Sequence, residues 1–213
     1  MVMMPPPQAQ PRPIPAPQPS PPMAAANHEQ GANMGFIAHD LAKRFPAYSA
    51  DRFLLVDASA QTMQLVENGR VSGEWVVSTA LKGVGSRKGS EQTPLGVHRI
   101  AQKIGAGAAL GTIFKARQNS GRIANILTRP DQDSSEDNVT TRILWLDGLE
   151  PGFNKGGSVD SYERYIYIHG TDEEGKLGRP ASHGCIRMRN RDVMELFDRV
   201  GEDTLVVIAA RKP

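Results

Sequence analysis

Between residues 53 and 208 the chain alternates short apolar runs with turn residues, a pattern of strands more than of helices. Residues 53–57 and 62–66 read as two strands, Asn68-Gly69 as the two-residue turn of a hairpin, and 71–79, around Trp75, Val76 and Val77, as its return. A fourth strand covers 96–100, reached through Thr93-Pro94, where proline is tolerated at a strand start or edge. Residues 142–146 and 165–168 follow, the second running directly into His169-Gly170, and 204–208 is a last, buried-looking strand. Helical spacing occurs twice. Phe36 or Ile37, Leu41 and Phe45 predict a short helix over 34–45, stopped by Pro46. Val193, Met194, Leu196 and Phe197 predict another over 191–200, with Asn190 as its N-cap and Gly201 as its stop. The stretch 101–141 is rich in Gly, Ala, Asn and Asp and has poor periodicity. It reads as a long loop, a lid or binding segment, with short elements at 113–114 and 123–127. The predicted fold is mostly β, a sandwich or barrel with one or two short helices.

The N-terminal stretch differs in kind. Residues 3–23 are dominated by Pro, Gln and Ala, and proline removes backbone donors and fixes φ. Residues 1–33 are therefore expected to be a disordered or polyproline-type tail or spacer, with a ligand for a partner's aromatic groove as the sharper alternative. Residues 34–50 form a helical lead-in and 51–211 the folded domain.

Composition narrows the function classes. The 213 residues suffice for one domain with its own core. A formal net charge of +2 gives no argument for nucleic-acid binding. The one cysteine rules out an internal disulfide and suits an exported or a cytoplasmic protein alike. No stretch approaches the roughly 18 apolar residues of a membrane span. No basic region followed by an apolar one precedes Ala24-Ala25-Ala26, so no standard secretion signal is visible.

That cysteine, Cys185, lies between the strand ending at Ile168 and the helix beginning near Arg191. A thiolate is the nucleophilic form, and a nearby imidazole can generate it. His169 and His183 are both candidates, and Arg187 and Arg189 would add positive potential. Gly184 would let the backbone approach a substrate, and N–H groups around Gly184 and Cys185 could face a developing oxyanion. Plainer readings stand beside these. A lone cysteine is usually a small buried hydrophobe. A histidine at a strand end is usually structural, and Arg187-Met188-Arg189 usually a solvated edge. A zinc site of His169, His183 and Cys185 would lack a fourth strong ligand.

The segment 165–171, ending in His169-Gly170-Thr171, followed by Ser182-His183-Gly184-Cys185-Ile186-Arg187-Met188, resembles the catalytic signature of bacterial L,D-transpeptidases of the YkuD-domain type. The resemblance extends to Val56-Asp57, Gln61, Val77-Ser78-Thr79 and Thr93-Pro94-Leu95-Gly96, and covers roughly residues 51–210. It implies a YkuD-like β-sandwich with Cys185 as nucleophile, His169 as its base, and Gly170 supplying the carbonyl that orients the histidine. Ser182, His183 and Gly184 would shape the nucleophile loop and oxyanion hole. Arg187 falls where many members carry Asn and others Arg, and is a candidate for holding a substrate carboxylate. The implied reaction forms a thioester from a peptidoglycan tetrapeptide stem with loss of the terminal D-Ala. An amine of a second stem then gives a 3–3 cross-link, or a lysine of an outer-membrane lipoprotein is anchored. No cofactor or metal is implied. The alternatives are a hydrolase of the same family, in which water resolves the thioester, and an inactive wall-binding module. The implied location is the periplasm or cell wall.

Overall fold

The structure, a computed structural model, describes residues 23–211. Ten strands form one sheet: β1 (Arg52–Asp57), β2 (Thr62–Glu67), β3 (Arg70–Ser78), β4 (Gly96–Ile104), β5 (Thr112–Lys115), β6 (Gln118–Ile123), β7 (Val139–Gly148), β8 (Tyr167–Thr171), β9 (Ile186–Met188) and β10 (Leu205–Ala209). Their order is β4-β10-β1-β2-β3-β9-β8-β7-β5-β6, and β4 also pairs with β7. The sandwich is thus closed along β4, with the β5–β6 hairpin hanging from β7. Asn68 and Gly69, both at positive φ, make the β2–β3 turn as the sequence predicts.

Alternation decides what each strand gives to the interior. Leu54 and Val56 of β1, Leu144 and Leu146 of β7, Ile168 of β8, Ile186 and Met188 of β9, and Val206 and Ile208 of β10 point into one core. Helix α2 (Asn190–Arg199) adds Val193, Leu196 and Phe197 to it. The opposite faces of β1, β2, β4 and β10, at Phe53, Val66, Val97 and Leu205, are covered by α1 (Met23–Arg44) through Met34, Ile37, Ala38 and Leu41. The opposite faces of β7 and β8 carry Ile143, Trp145 and Tyr167, and this patch includes Cys185.

The helices depart from expectation. α1 starts at Met23, so residues 23–33 are helical where a tail was expected; after Pro22 no proline recurs before Pro46, and Ala24-Ala25-Ala26 favours helix. The expected tail over 1–22 lies outside the described residues. Asn190 is not the N-cap of α2. Arg189 holds that place, and the Asn190 side chain is buried against β7 and β8 instead. The stretch 101–141 is not one loop. β4 runs on to Ile104, β5 and β6 form a hairpin, and β7 begins at Val139.

If α1 is an integral layer, truncating its most buried contact should be costly. Leu41→Ala is expected to lose about 2–4 kcal/mol in chemical denaturation. A loss below about 0.5 kcal/mol would show that α1 does not dock.

Candidate functional site

The short parallel pairing of β8 with β9 builds the site, with Ile168 opposite Ile186, His169 opposite Arg187 and Gly170 opposite Met188. Ile168 and Ile186 face the core, so their neighbours Tyr167, His169, Cys185 and Arg187 share the other face. Cys185 is half-buried just before β9. Its Sγ accepts the Tyr167 N–H at 3.4 Å and lies 3.4 Å from the Tyr165 carbonyl, to which the thiol proton can be donated. His169 is buried, and its Nδ1 lies 2.7 Å from the Gly170 carbonyl. A carbonyl can only accept, so Nδ1 carries the proton and Nε2 is left as the basic atom.

Burial dominates the electrostatics of both groups. It pushes the Cys185 thiol up to about 11, a rise that Asp137 adds to and that the Tyr167 N–H, Arg187 and Arg164 only partly offset. Burial also lowers His169 below its ordinary 6.5, against the opposing pull of Asp137 and the Gly170 carbonyl. Both shifts favour the uncharged forms around neutral pH, a thiol at Cys185 and an imidazole at His169.

Arg187 does not supply the free positive charge that its sequence context suggests. It is 2% exposed, with Nη1 at 2.9 Å from Glu173 and Nη2 at 2.6 Å from Asp137. The expected solvated edge is a buried ion-pair network, because the strand it sits on is interior to the sheet. Burial alone would raise Asp137, but Arg187, the hydrogen bond to His183 and the charge of His169 hold it below the usual carboxylate range. Glu173 is likewise pushed up by burial and brought down by Lys176, the Ser134 N–H and Arg187. His183 is exposed and its Nδ1 lies 2.7 Å from Asp137 Oδ2.

Two hydroxyl side chains clamp the loop that leads into Cys185. Ser182 Oγ donates to the Cys185 carbonyl at 2.6 Å and accepts the Gly184 N–H at 3.2 Å. Thr93 Oγ1 donates to the Gly184 carbonyl at 2.9 Å while accepting the Ala80 N–H. Gly184 has φ of 131°, a backbone conformation in which any L side chain is strained, so the turn favours glycine. Gly170 is equally constrained, since a Cβ would come within 2.8 Å of Asn190 Oδ1 and the Thr140 carbonyl.

The model of the family described as the L,D-transpeptidase catalytic domain matches residues 51–208 of this chain. The chain belongs to that family. Among curated relatives, the "Putative L,D-transpeptidase YqjB" of Bacillus subtilis is 27% identical over 158 residues, 74% of this chain and 71% of that one. The "Putative L,D-transpeptidase YkuD" of Bacillus licheniformis is 42% identical over 60 residues, 26% of this chain and only 36% of its own length. Of solved structures, an L,D-transpeptidase from Mycobacterium smegmatis aligns at a TM-score of 0.46 and 17% identity, over 75% of this chain and 59% of that one.

Within this L,D-transpeptidase domain, β8 and the loop before β9 bring together Cys185, His169, Gly170, Ser182 and Gly184 from two sequence segments, with Arg187 beneath them. His183 faces Asp137 at the rim. Three contributors escaped the sequence reading. Thr93 was visible only as part of a turn, although its TPLG setting marks it. Asp137 lies in the stretch read as a loop. Asn190 was read as a cap, whereas its Oδ1 accepts from Thr140 and Thr141 and its Nδ2 donates to the Thr171 carbonyl and Glu174.

If Arg187 acts through its buried pairs, its removal should appear first in stability. Arg187→Ala is expected to cost about 3–5 kcal/mol in urea unfolding, since two carboxylates lose their cation. An unchanged unfolding midpoint with lost substrate affinity would instead favour direct substrate contact. Gly170→Ala is expected to slow any His169-dependent step more than it lowers stability, because its Cβ displaces the carbonyl that orients Nδ1.

Proposed function

We propose that this chain is a cysteine L,D-transpeptidase acting on peptidoglycan tetrapeptide stems through a Cys185 thioester. The observation that carries the reading is the single outer face shared by Cys185 and His169, with Nδ1 of the histidine tied to Gly170 so that Nε2 is the basic atom. His169 Nε2 takes the thiol proton as Sγ attacks the carbonyl of the third stem residue. The resulting imidazolium gives that proton to the leaving D-Ala amine. An amine of a second stem, or a lysine of an outer-membrane lipoprotein, then resolves the thioester. N–H groups of the Ser182–Cys185 loop stabilise the tetrahedral oxyanion. Such a reaction places the enzyme on the wall side of the cytoplasmic membrane. Water as the resolving nucleophile would make the same site a hydrolase, and an unreactive site would make it a wall-binding module.

A neutral starting pair has a distinct pH signature. The reactive combination needs His169 unprotonated and Cys185 protonated. It is therefore fully present from above the lowered histidine value up to about 11. Acylation by a carbapenem, followed by mass, is expected to rise with pH only below 6.5 and to stay flat between about pH 7 and 9. A rate still climbing through that upper range would mean that a free thiolate, not base-assisted attack, is rate-limiting. Purified muropeptides should yield cross-linked dimers with the wild type. Cys185→Ala should yield none, and His169→Ala is expected to be slower by roughly 10²–10⁴-fold. Shortened monomers alone would identify a hydrolase, and neither product nor carbapenem adduct would end the enzyme reading.

A further inference from the structure

The patch beside Cys185 holds a cation that the chemistry above does not use. Trp145 and Tyr162 stack at 4.0 Å with an interplanar angle of 3°, and Tyr165 and Tyr167 pack on Trp145 at centroid distances of 5.7 and 5.6 Å. Arg117 reaches over this cluster from the β5–β6 hairpin, its Cζ 4.8 Å from the Trp145 ring and 5.0 Å from the Tyr165 ring. Among the described residues it makes no ion pair, and its one side-chain hydrogen bond runs from Nη1 to the Tyr167 hydroxyl at 3.3 Å. A guanidinium carries five donors, so most are left over. Of the three aromatic residues that it touches, Tyr165 and Tyr167 also contact Cys185 Sγ through their backbones.

The backbone supplies an independent observation. Lys115 pairs with Gln118, so the hairpin turn is Ala116-Arg117, and these residues have φ of 48° and 68°. A two-residue turn with both φ positive normally takes Asn or Gly, and other L-residues are strained there. Residues held in this region cluster at ligand-binding and active sites, which makes Arg117 a candidate contact. The other cation near Cys185, Arg164, is already engaged by the carbonyls of Gly85 and Gln92 and the Ser90 hydroxyl. Arg187 is taken up by Asp137 and Glu173.

We propose that Arg117 is a substrate-binding residue that holds a carboxylate of the donor stem peptide over the Trp145–Tyr165 platform, beside the Cys185 sulfur. The inference rests on the reading of the chain as acting on stem peptides. Such a peptide carries the terminal D-Ala carboxylate next to the reacting carbonyl, and a second carboxylate beside it where the third residue is a diamino diacid such as diaminopimelate. Either matches the planar, two-donor edge of a guanidinium fixed flat on aromatic faces.

The test compares the unmodified tetrapeptide with two analogues, one amidated at the terminal carboxylate and one at the side-chain carboxylate. Binding is measured calorimetrically, and turnover by product mass, for the wild-type chain, Arg117→Gln and Arg117→Lys. One of the two amidations is expected to weaken wild-type binding roughly 10- to 100-fold, as a charge-assisted hydrogen bond is lost, and to leave Arg117→Gln unaffected. Which analogue loses affinity identifies the carboxylate. Arg117→Lys should fall between, keeping charge without the flat fork. Ala116→Gly relieves the turn without touching the cation. It should bind as wild type and unfold at a higher temperature, which separates loss of contact from loss of the hairpin. The proposal is overturned if Arg117→Gln discriminates acid from amide as strongly as wild type, or if wild type does not discriminate at all. Discrimination without any turnover would count against the catalytic reading and leave Arg117 as the carboxylate contact.

Discussion

Everything at the site hangs on the parallel pairing between β8 and the three residues of β9. Sheet geometry fixes the consequence: once Ile168 and Ile186 go into the core, His169 and Cys185 must emerge on the same side. A slip of one residue in β9 would bring Ile186 out of the core and turn Cys185 and Arg187 inward. The register is therefore held from both sides, by isoleucines whose burial is worth roughly 1.5–3 kcal/mol each and by Gly170, where a Cβ would meet Asn190 and the Thr140 carbonyl. Thr93 and Ser182 fasten the loop that leads into β9, and Asn190 ties β7, β8 and α2 behind it.

The charge distribution follows from the same packing. Burying Arg187 under the site would leave an unpaired cation, and Asp137 and Glu173 answer it. Asp137 itself raises the thiol, and Arg187 offsets only part of the effect of burial. With desolvation acting on sulfur and imidazole alike, both are neutral at rest. In the proposed reaction, the charge needed for attack is created only when the proton moves. The unspent cation, Arg117, stands instead on the aromatic surface beside the sulfur.

What could be read from the sequence divides along physical lines. Strands with one buried face announce themselves by alternation, and β1, β2, β3, β7 and β10 are where the pattern puts them. The start of β8 is displaced because Tyr165 takes φ of 56°, which no apolar run signals. Ile113-Phe114 signals β5, but β6 carries no signal, because every one of its residues is exposed and polar or small apart from Ile123 and the turn before it lacks Asn or Gly. Arg187 misled for the opposite reason, since an arginine in an interior strand looks like a surface residue until its two carboxylates are found. The pairing of His169 with Cys185 over Cys185 with its sequence neighbour His183 came from the family motif. Sheet register explains it, as His183 precedes the strand and turns to Asp137 at the rim.

The central claim is that Cys185 rests as a neutral thiol beside a neutral histidine. Titrating the thiolate by its ultraviolet absorbance in the full chain, with Cys185→Ser as the blank, measures this directly. The account predicts no thiolate signal through neutral and mildly alkaline pH and a rise only near 11. A thiolate signal already present at neutral pH would show a preformed thiolate–imidazolium pair and contradict it.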